Sequence, residues 1–361
     1  MPTGGIRLDL HPVPFQGWAV ASAWARTRGT LPPPFFILGT ERSGSNLLRL
    51  ILHSHSRLAI PHPPHLVRYF KPLQAGYGNL EEAPDFHRLV QDVAALLKTH
   101  IYPWDVEVDW ARVEREARPR DVFGIQYALY GQYAAAKGKE RWGCKSTFLI
   151  GEVPTLRQHH PDACFLWLVR DPRDVAASSR RSVFSATHPV FVAELWRDQQ
   201  QLGLRWEREG IPLLRIHYEA LLQAPEAEVQ RICEFLGEKF EPQMLRYFET
   251  EEAQRSGGLS QSWATTARPI QKDRAGSWKK ELSAQEVAWV EAIAGPTLEA
   301  LGYSRTLPPS DWEPSFLERL QFSFRERVQE LGIEWQSLRK DRNVGRRWRR
   351  ALLLWRLQWR S

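Results

Sequence analysis

The sequence predicts an α/β protein: a central parallel sheet flanked by helices in three layers, followed by a helical, basic C-terminal extension. Three observations predict it. Short apolar runs alternate with stretches of helical periodicity, the pattern of strand–helix–strand units. The first run feeds a glycine-bearing loop and then a helix. After Pro314 the character changes, and Arg and Trp crowd a stretch with apolar residues near helical spacing.

The elements follow in order. Residues 1–34 are a poorly patterned leader ending in Leu31-Pro32-Pro33-Pro34. Phe35-Phe36-Ile37-Leu38 is short, apolar and bounded by Pro and Gly, so it reads as a buried strand. After Gly39–Asn46, Leu47, Leu50 and Ile51 repeat at helical spacing. Cys164–Val169 is a second strand, and Pro172 fits the first turn of the helix after it. Leu213–His217 is a third. A helix after Pro225 carries Val229, Ile232, Cys233 and Leu236 on one face and stops at Gly237. Ser283 with Glu286 three residues on is a capping-box pattern, opening a helix that Gly302 ends. No internal repeats are visible.

Composition narrows the function classes. With 43% apolar and 25% charged residues among 361, the chain is ordinary globular material with room for one large domain and an appendage. No apolar run approaches the roughly 18 residues of a membrane span, and no secretory signal is visible. Three cysteines, Cys144, Cys164 and Cys233, neither build a disulfide scaffold nor show zinc-site spacing. A cytoplasmic location is the expectation. The net charge of +7 is uneven: residues 339–361 hold nine Arg and Lys against Asp341, leaving 40 basic against 41 acidic residues elsewhere. The basicity therefore belongs to the tail and says little about what the main domain binds.

Gly39 and Gly44 are five apart, as in a phosphate-binding loop, so the domain reads as P-loop-like. Such a loop turns backbone N–H groups onto an anion, and the helix behind it adds positive potential. A nucleoside-triphosphatase loop would continue with Lys and Ser or Thr. Here Ser45 and Asn46 stand there, and the cation is inside the loop, at Arg42. That arrangement suits a phosphate-like anion without magnesium. Arg170 lies at the carboxyl end of a predicted parallel strand, where α/β sheets bind ligands, and Ser178 follows eight residues on. Each pattern alone also fits an ordinary turn or helix start.

Together these segments resemble the sulfotransferases that use 3′-phosphoadenosine 5′-phosphosulfate (PAPS). Phe36–Leu48, with Thr40, Glu41, Arg42, Ser43, Gly44, Ser45 and Asn46, looks like their 5′-phosphosulfate loop. Leu168–Ser178 looks like their 3′-phosphate motif, with Arg170 and Ser178 at the family's spacing. Tyr218–Leu222 with Pro225, Arg231–Gly237, and Gly276–Leu282 are similar to segments of bacterial members. The resemblance implies a sulfotransferase domain over residues 35–305 and transfer of a sulfuryl group from PAPS to an acceptor hydroxyl, with no metal. Arg42 and Lys145 would stabilise the leaving phosphate. A late basic segment would cover the 3′-phosphate; Trp278 matches in place, but the family's Arg-Lys-Gly does not, leaving Arg268, Lys272 and Arg274 as candidates.

The acceptor needs a general base. Where cytosolic members have His two residues after the matching Lys, this chain has Thr147. Where protein-tyrosine sulfotransferases place a carboxylate, the position falls at His62, so His62 is the expected base and His65 the second candidate. In the extension, residues 306–361, the segment 314–335 is expected to pack on the domain. Residues 339–361 mix Arg with Trp348, Trp355 and Trp359, a composition for an anionic membrane surface or an acidic partner; no specific nucleic acid is expected. Two other classes stay open: a magnesium-dependent kinase or GTPase, which Ser45 and Asn46 oppose, and a non-catalytic nucleotide-binding or scaffold protein acting through its basic tail.

Overall fold

A computed structural model describes residues 32–180, 182, 186–259, 261–340 and 344–359. Most of the 1–34 leader lies outside them. Five strands form one parallel sheet in the order β2-β3-β1-β4-β5: β1 Phe35–Gly39, β2 Leu58–Ala59, β3 Arg141–Lys145, β4 Cys164–Val169 and β5 Leu213–His217.

β1 is buried along its whole length because helices cover both faces of the sheet. Its side chains alternate between two cores. Phe36 and Leu38 join Trp167 and Val169 under helices Ala83–Lys98, Val122–Ala136, Pro189–Arg208 and Ala284–Ala300. Phe35 and Ile37 join Leu166 and Leu168 under helices Ser45–His53 and Pro225–Leu236. The α/β architecture with a central parallel sheet is therefore as the sequence predicts.

β3 did not read as a strand, because its sequence, Arg-Trp-Gly-Cys-Lys, begins and ends in charge. Arg141 is nevertheless buried. Its guanidinium donates to the carbonyls of Pro33 and Leu236, both at 2.6 Å, and faces Glu238. Lys145 at the other end reaches the carboxyl edge of the sheet. β1 sits where the chain switches from building one half of the sheet to the other, the place where open α/β sheets bind ligands beyond their carboxyl ends.

Helix ends follow their caps. Asp171 accepts from Arg173 N ahead of helix Pro172–Ser179, Gly237 closes Pro225–Leu236 in the left-handed conformation, and the Ser283–Glu286 capping box is complete. The C-terminal stretch forms helices Phe316–Lys340 and Val344–Gln358. Their packing differs from the sequence expectation. In the first, Phe322 is buried but Phe316, Leu317, Leu320, Phe324, Val328, Leu331 and Trp335 are exposed. In the second, Arg350 and Leu357 are buried against the domain. Among the described residues no helix is long and apolar enough to cross a membrane.

Candidate active site

A cavity of about 420 Å³ opens at the carboxyl edge of the sheet. The loop after β1 forms its floor. Thr40 turns inward: its hydroxyl accepts from Gln200 Nε2 at 2.8 Å, and Gln200 in turn accepts the Trp167 indole N–H at 2.8 Å. Arg42 then takes a left-handed backbone (φ 66°), a conformation that costs a non-glycine residue energy and clusters at functional sites. Gly44 follows at φ 91°; a Cβ there would stand 2.3 Å from the Tyr218 ring. Right- and left-handed residues in succession turn the loop's N–H groups into an anion-binding concavity at the start of helix Ser45–His53.

Two distant segments meet over this floor. Arg42 Nε donates to Ser178 Oγ at 3.2 Å. Arg170 donates from Nη1 to the Arg42 carbonyl at 2.9 Å and from Nη2 to the Arg274 carbonyl at 3.1 Å, with its guanidinium 4.5 Å from the Tyr218 ring centre. Its own carbonyl is held by the Trp196 indole at 2.9 Å. Arg170 Nε and Ser43 Oγ are buried with no hydrogen-bond partner among the described residues. An unpaired buried donor is costly, so a site that leaves Arg170 Nε beside a second guanidinium group and a helix N-terminus is chemically matched to an anion.

The late segment is clamped by Asp174. Its carboxylate accepts Gly276 N at 2.7 Å, Trp278 N at 2.9 Å and the Ser277 hydroxyl at 3.2 Å. Trp278 is buried against Ala177 and Val287, under the Arg173 guanidinium at 4.2 Å, and anchors the segment outside the cavity wall. All three basic candidates are exposed, and of them Arg274 lines the cavity whereas Arg268 and Lys272 do not. Glu41, Arg42, Gly44, Ser45, Asn46, Arg170 and Ser178 line it as well; Thr40 and Ser43 support the loop from behind.

The second half of the cavity holds Lys145, His62 and His65. Burial, assisted by the nearby Arg49 charge, brings the Lys145 ammonium down to about 8, against the pull of Glu41. Burial raises the Glu41 carboxyl, opposed by Arg68, Lys145 and Arg42. His62 lies between the rings of Tyr102 (5.1 Å) and Trp263 (4.7 Å), and its Nδ1 is 3.1 Å from His100 Nε2. His100 Nδ1 is 2.9 Å from Arg350 Nη1, and Arg350 Nη2 donates to the Pro64 carbonyl at 2.8 Å. His65 Nδ1 is 3.0 Å from Ser146 Oγ. Burial first, and neighbouring positive charge second, hold all three histidines well below the usual imidazole range.

Donor counting orders the protons in this chain. A guanidinium only donates, so His100 Nδ1 accepts from Arg350 and its proton sits on Nε2. That N–H donates to His62 Nδ1, and the His62 proton then sits on its own Nε2. His62 thus offers a hydrogen-bond donor rather than a base. His65 has no such constraint: with Nδ1–H donating to the Ser146 hydroxyl, its Nε2 lone pair is available.

Sequence reasoning missed His100, Arg350 and Arg49. Arg49 is fully buried among leucines; it donates to Asn46 Oδ1 and Glu252 Oε1, both at 2.8 Å, and so ties the loop helix to helix Glu251–Leu259. An Arg within Leu47-Leu48-Arg49-Leu50-Ile51-Leu52 is the one local signal that could have drawn notice. Among the described residues no cluster of three or more His, Cys, Asp or Glu has metal-site geometry.

Comparison with known proteins gives the family and the fold. Nodulation protein NoeE of Sinorhizobium fredii is 25% identical over 346 residues, covering 89% of this chain and 77% of that protein. Protein-tyrosine sulfotransferase A of Caenorhabditis elegans is 23% identical over 321 residues, covering 84% and 75%. The sulfotransferase domain of the Synechococcus PCC 7002 olefin synthase superposes with a TM-score of 0.55 at 22% identity, over 79% of this chain and 99% of that one. The sulfotransferase domain of the curacin biosynthetic pathway gives 0.52 at 22%, over 77% and 99%. These structures share the fold. The model of the Sulfotransferase family matches residues 33–242, more than half of the sequence, and the chain belongs to that family.

Proposed function

We propose that the protein transfers a sulfuryl group from PAPS to an acceptor hydroxyl. The observation that carries this reading is the meeting of Arg42 and Ser178, from loops after two different strands, beside an Arg170 Nε that lacks a partner among the described residues. PAPS supplies an activated sulfuryl group on a phosphate leaving group. The acceptor O–H gives its proton to a base as its oxygen bonds to sulfur, and the electron pair of the broken S–O bond leaves on the phosphate oxygen.

The chain's residues divide that work. The loop amides of 43–46 and the Arg42 guanidinium face the 5′ side, where charge develops; one such donor is worth about 3 kcal/mol in a dry site. Arg170, Ser178 and Arg274 face the 3′-phosphate. Lys145, a cation below pH 8, lies on the acceptor side and neutralises charge near the transferred group. His65 takes the acceptor proton, and His62, held as an N–H donor by His100, orients the acceptor oxygen. Domain limits of 35–305 with an extension over 306–361 fit this division, since every donor-binding residue precedes 305.

Calorimetry with 3′-phosphoadenosine 5′-phosphate against magnesium ATP, together with an acceptor screen using labelled PAPS, tests the reading. Selective binding of the first nucleotide and label transfer support it. Preference for magnesium ATP would make the chain a kinase-like enzyme, and binding of neither would leave a scaffold.

A further inference from the structure

The last helix, Val344–Gln358, has three faces. At 100° per residue, Arg347, Arg350, Ala351, Leu354 and Leu357 point to one side. The first four line the cavity and Leu357 is buried. Trp348, Leu352 and Trp355, with Trp359 just beyond the helix end, fall within an arc of about 60° on another side. They are 66%, 49%, 56% and 76% exposed. Arg349 and Arg356 occupy the arc next to the tryptophans, whereas Arg346 lies on the far side and its Nη1 donates to the His100 carbonyl at 3.4 Å. Arg350 fixes which face turns inward, through Pro64 and His100.

We infer that this helix is a docking surface for an anionic lipid bilayer, seating Trp348, Leu352, Trp355 and Trp359 in the interface and placing the acceptor mouth of the cavity at headgroup level. The inference rests on the sulfotransferase reading for what the cavity does, but not for the docking itself. Charge selects the occupant. Residues 344–359 contain Arg346, Arg347, Arg349, Arg350 and Arg356 and no acidic residue. A second copy laid on the same face would set arginine against arginine, whereas phosphate headgroups complement it. Trp and Arg side by side on one surface helix suit the polar–apolar boundary of a bilayer. The helix lies on the membrane and does not cross it: 15 residues rise only about 22 Å, and five arginines interrupt them. The neighbouring helix Phe316–Lys340 has an exposed apolar stripe too, but its charges are mixed, with Glu318, Glu326, Glu330 and Glu334 among its arginines, so it lacks this preference.

The test is co-sedimentation of the full chain with phosphatidylglycerol vesicles and with phosphatidylcholine vesicles. It compares wild type with W348S/W355S/W359S and with R349E/R356E. All five positions are exposed and outside the cavity wall, and calorimetry with 3′-phosphoadenosine 5′-phosphate checks in parallel that each variant is folded. The inference expects wild type to bind phosphatidylglycerol at least tenfold more tightly than phosphatidylcholine, each variant to lose that binding by tenfold or more, and all three proteins to bind the nucleotide equally. Equal vesicle binding by wild type and variants overturns it. So does absence of vesicle binding, including the case in which sedimentation velocity shows a dimer that the triple variant abolishes, which would make the occupant a second copy. Loss of nucleotide binding in wild type with vesicle binding intact would instead remove the sulfotransferase reading and leave the docking surface standing.

Discussion

Removing the Asp174 carboxylate should loosen the proposed donor site by freeing the segment that carries Ser277 and Arg274; its Oδ2 also lies 4.0 Å from Arg170 Nη2. The side chain is fully buried and receives three hydrogen bonds, from Gly276 N, Trp278 N and the Ser277 hydroxyl. In Asp174→Ala the Ser277 hydroxyl can turn to water, but two backbone donors lose their acceptor. At 1–3 kcal/mol for each buried unsatisfied donor, about 3 kcal/mol of stability is lost, which for a chain of 361 residues corresponds to a fall of roughly 4–5 °C in Tm. The segment carrying Arg274 must then be ordered when nucleotide binds. At about 1 kcal/mol per backbone residue, even one or two freed residues weaken binding by roughly five- to thirtyfold. Asp174→Asn should fall between, because its NH2 must face one of the backbone donors whichever way the amide turns. Differential scanning fluorimetry and calorimetry with 3′-phosphoadenosine 5′-phosphate measure both effects. An Asp174→Ala protein that melts as wild type and binds the nucleotide with unchanged affinity would refute the clamp.

The remaining expectations concern protons. With the Lys145 ammonium brought down to about 8 by burial, kcat/KM should decline above pH 8, and Lys145→Met should lower the rate at pH 7 by at least a hundredfold and abolish that limb; an unchanged limb would assign it to another group. If His65 is the base, His65→Gln should reduce kcat by about 10²–10⁴-fold, while His62→Gln, which keeps an N–H donor, should retain more than a tenth of wild-type activity; the reverse order would return the role to His62. Burial raises Glu219 to about 7 from 4.5, so the folded state holds a proton that the unfolded chain releases, and stability falls as pH rises from 4.5 to 7. Glu219→Gln should remove that slope and be more stable at pH 8 by up to about 3 kcal/mol, and pH-dependent melts of the two proteins would show parallel curves if the reasoning fails. The buried His62, His65 and His100 act oppositely, costing stability as pH drops below 6.5, and cancel in the comparison.

The half of the candidate cavity proposed to hold the donor was legible as a cluster of residues because it is local. The anion loop is one run of eight residues, and Arg170 and Ser178 share a strand end and the helix after it. β1 and β4 announce themselves as apolar runs because both of their faces are buried, and β5, at the sheet edge, through Leu213, Leu214 and Ile216. β3 is hidden by Arg141 and Lys145, whose burial depends on carbonyls and carboxylates from other parts of the fold. The acceptor half was not legible for the same reason at greater range. His62 meets His100, Trp263 and Arg350 only in three dimensions, and no spacing records it. The choice among Arg268, Lys272 and Arg274 likewise depends on which way a short 3₁₀ turn faces. The tail's composition pointed outward, but a helix has more than one side, and composition does not say that one of them is turned to the cavity.

Arg350 lies close to the end of the polypeptide, yet it reaches the histidine pair at the heart of the acceptor chamber. If the proposed sulfuryl transfer holds, recognition of the two reactants is written in separable stretches of sequence: the residues assigned to the nucleotide precede 305, while part of the opposite wall comes from helix Val344–Gln358. On the proposed reading, substitutions along the inward face of helix Val344–Gln358 would retune which alcohol is accepted while sparing the donor pocket.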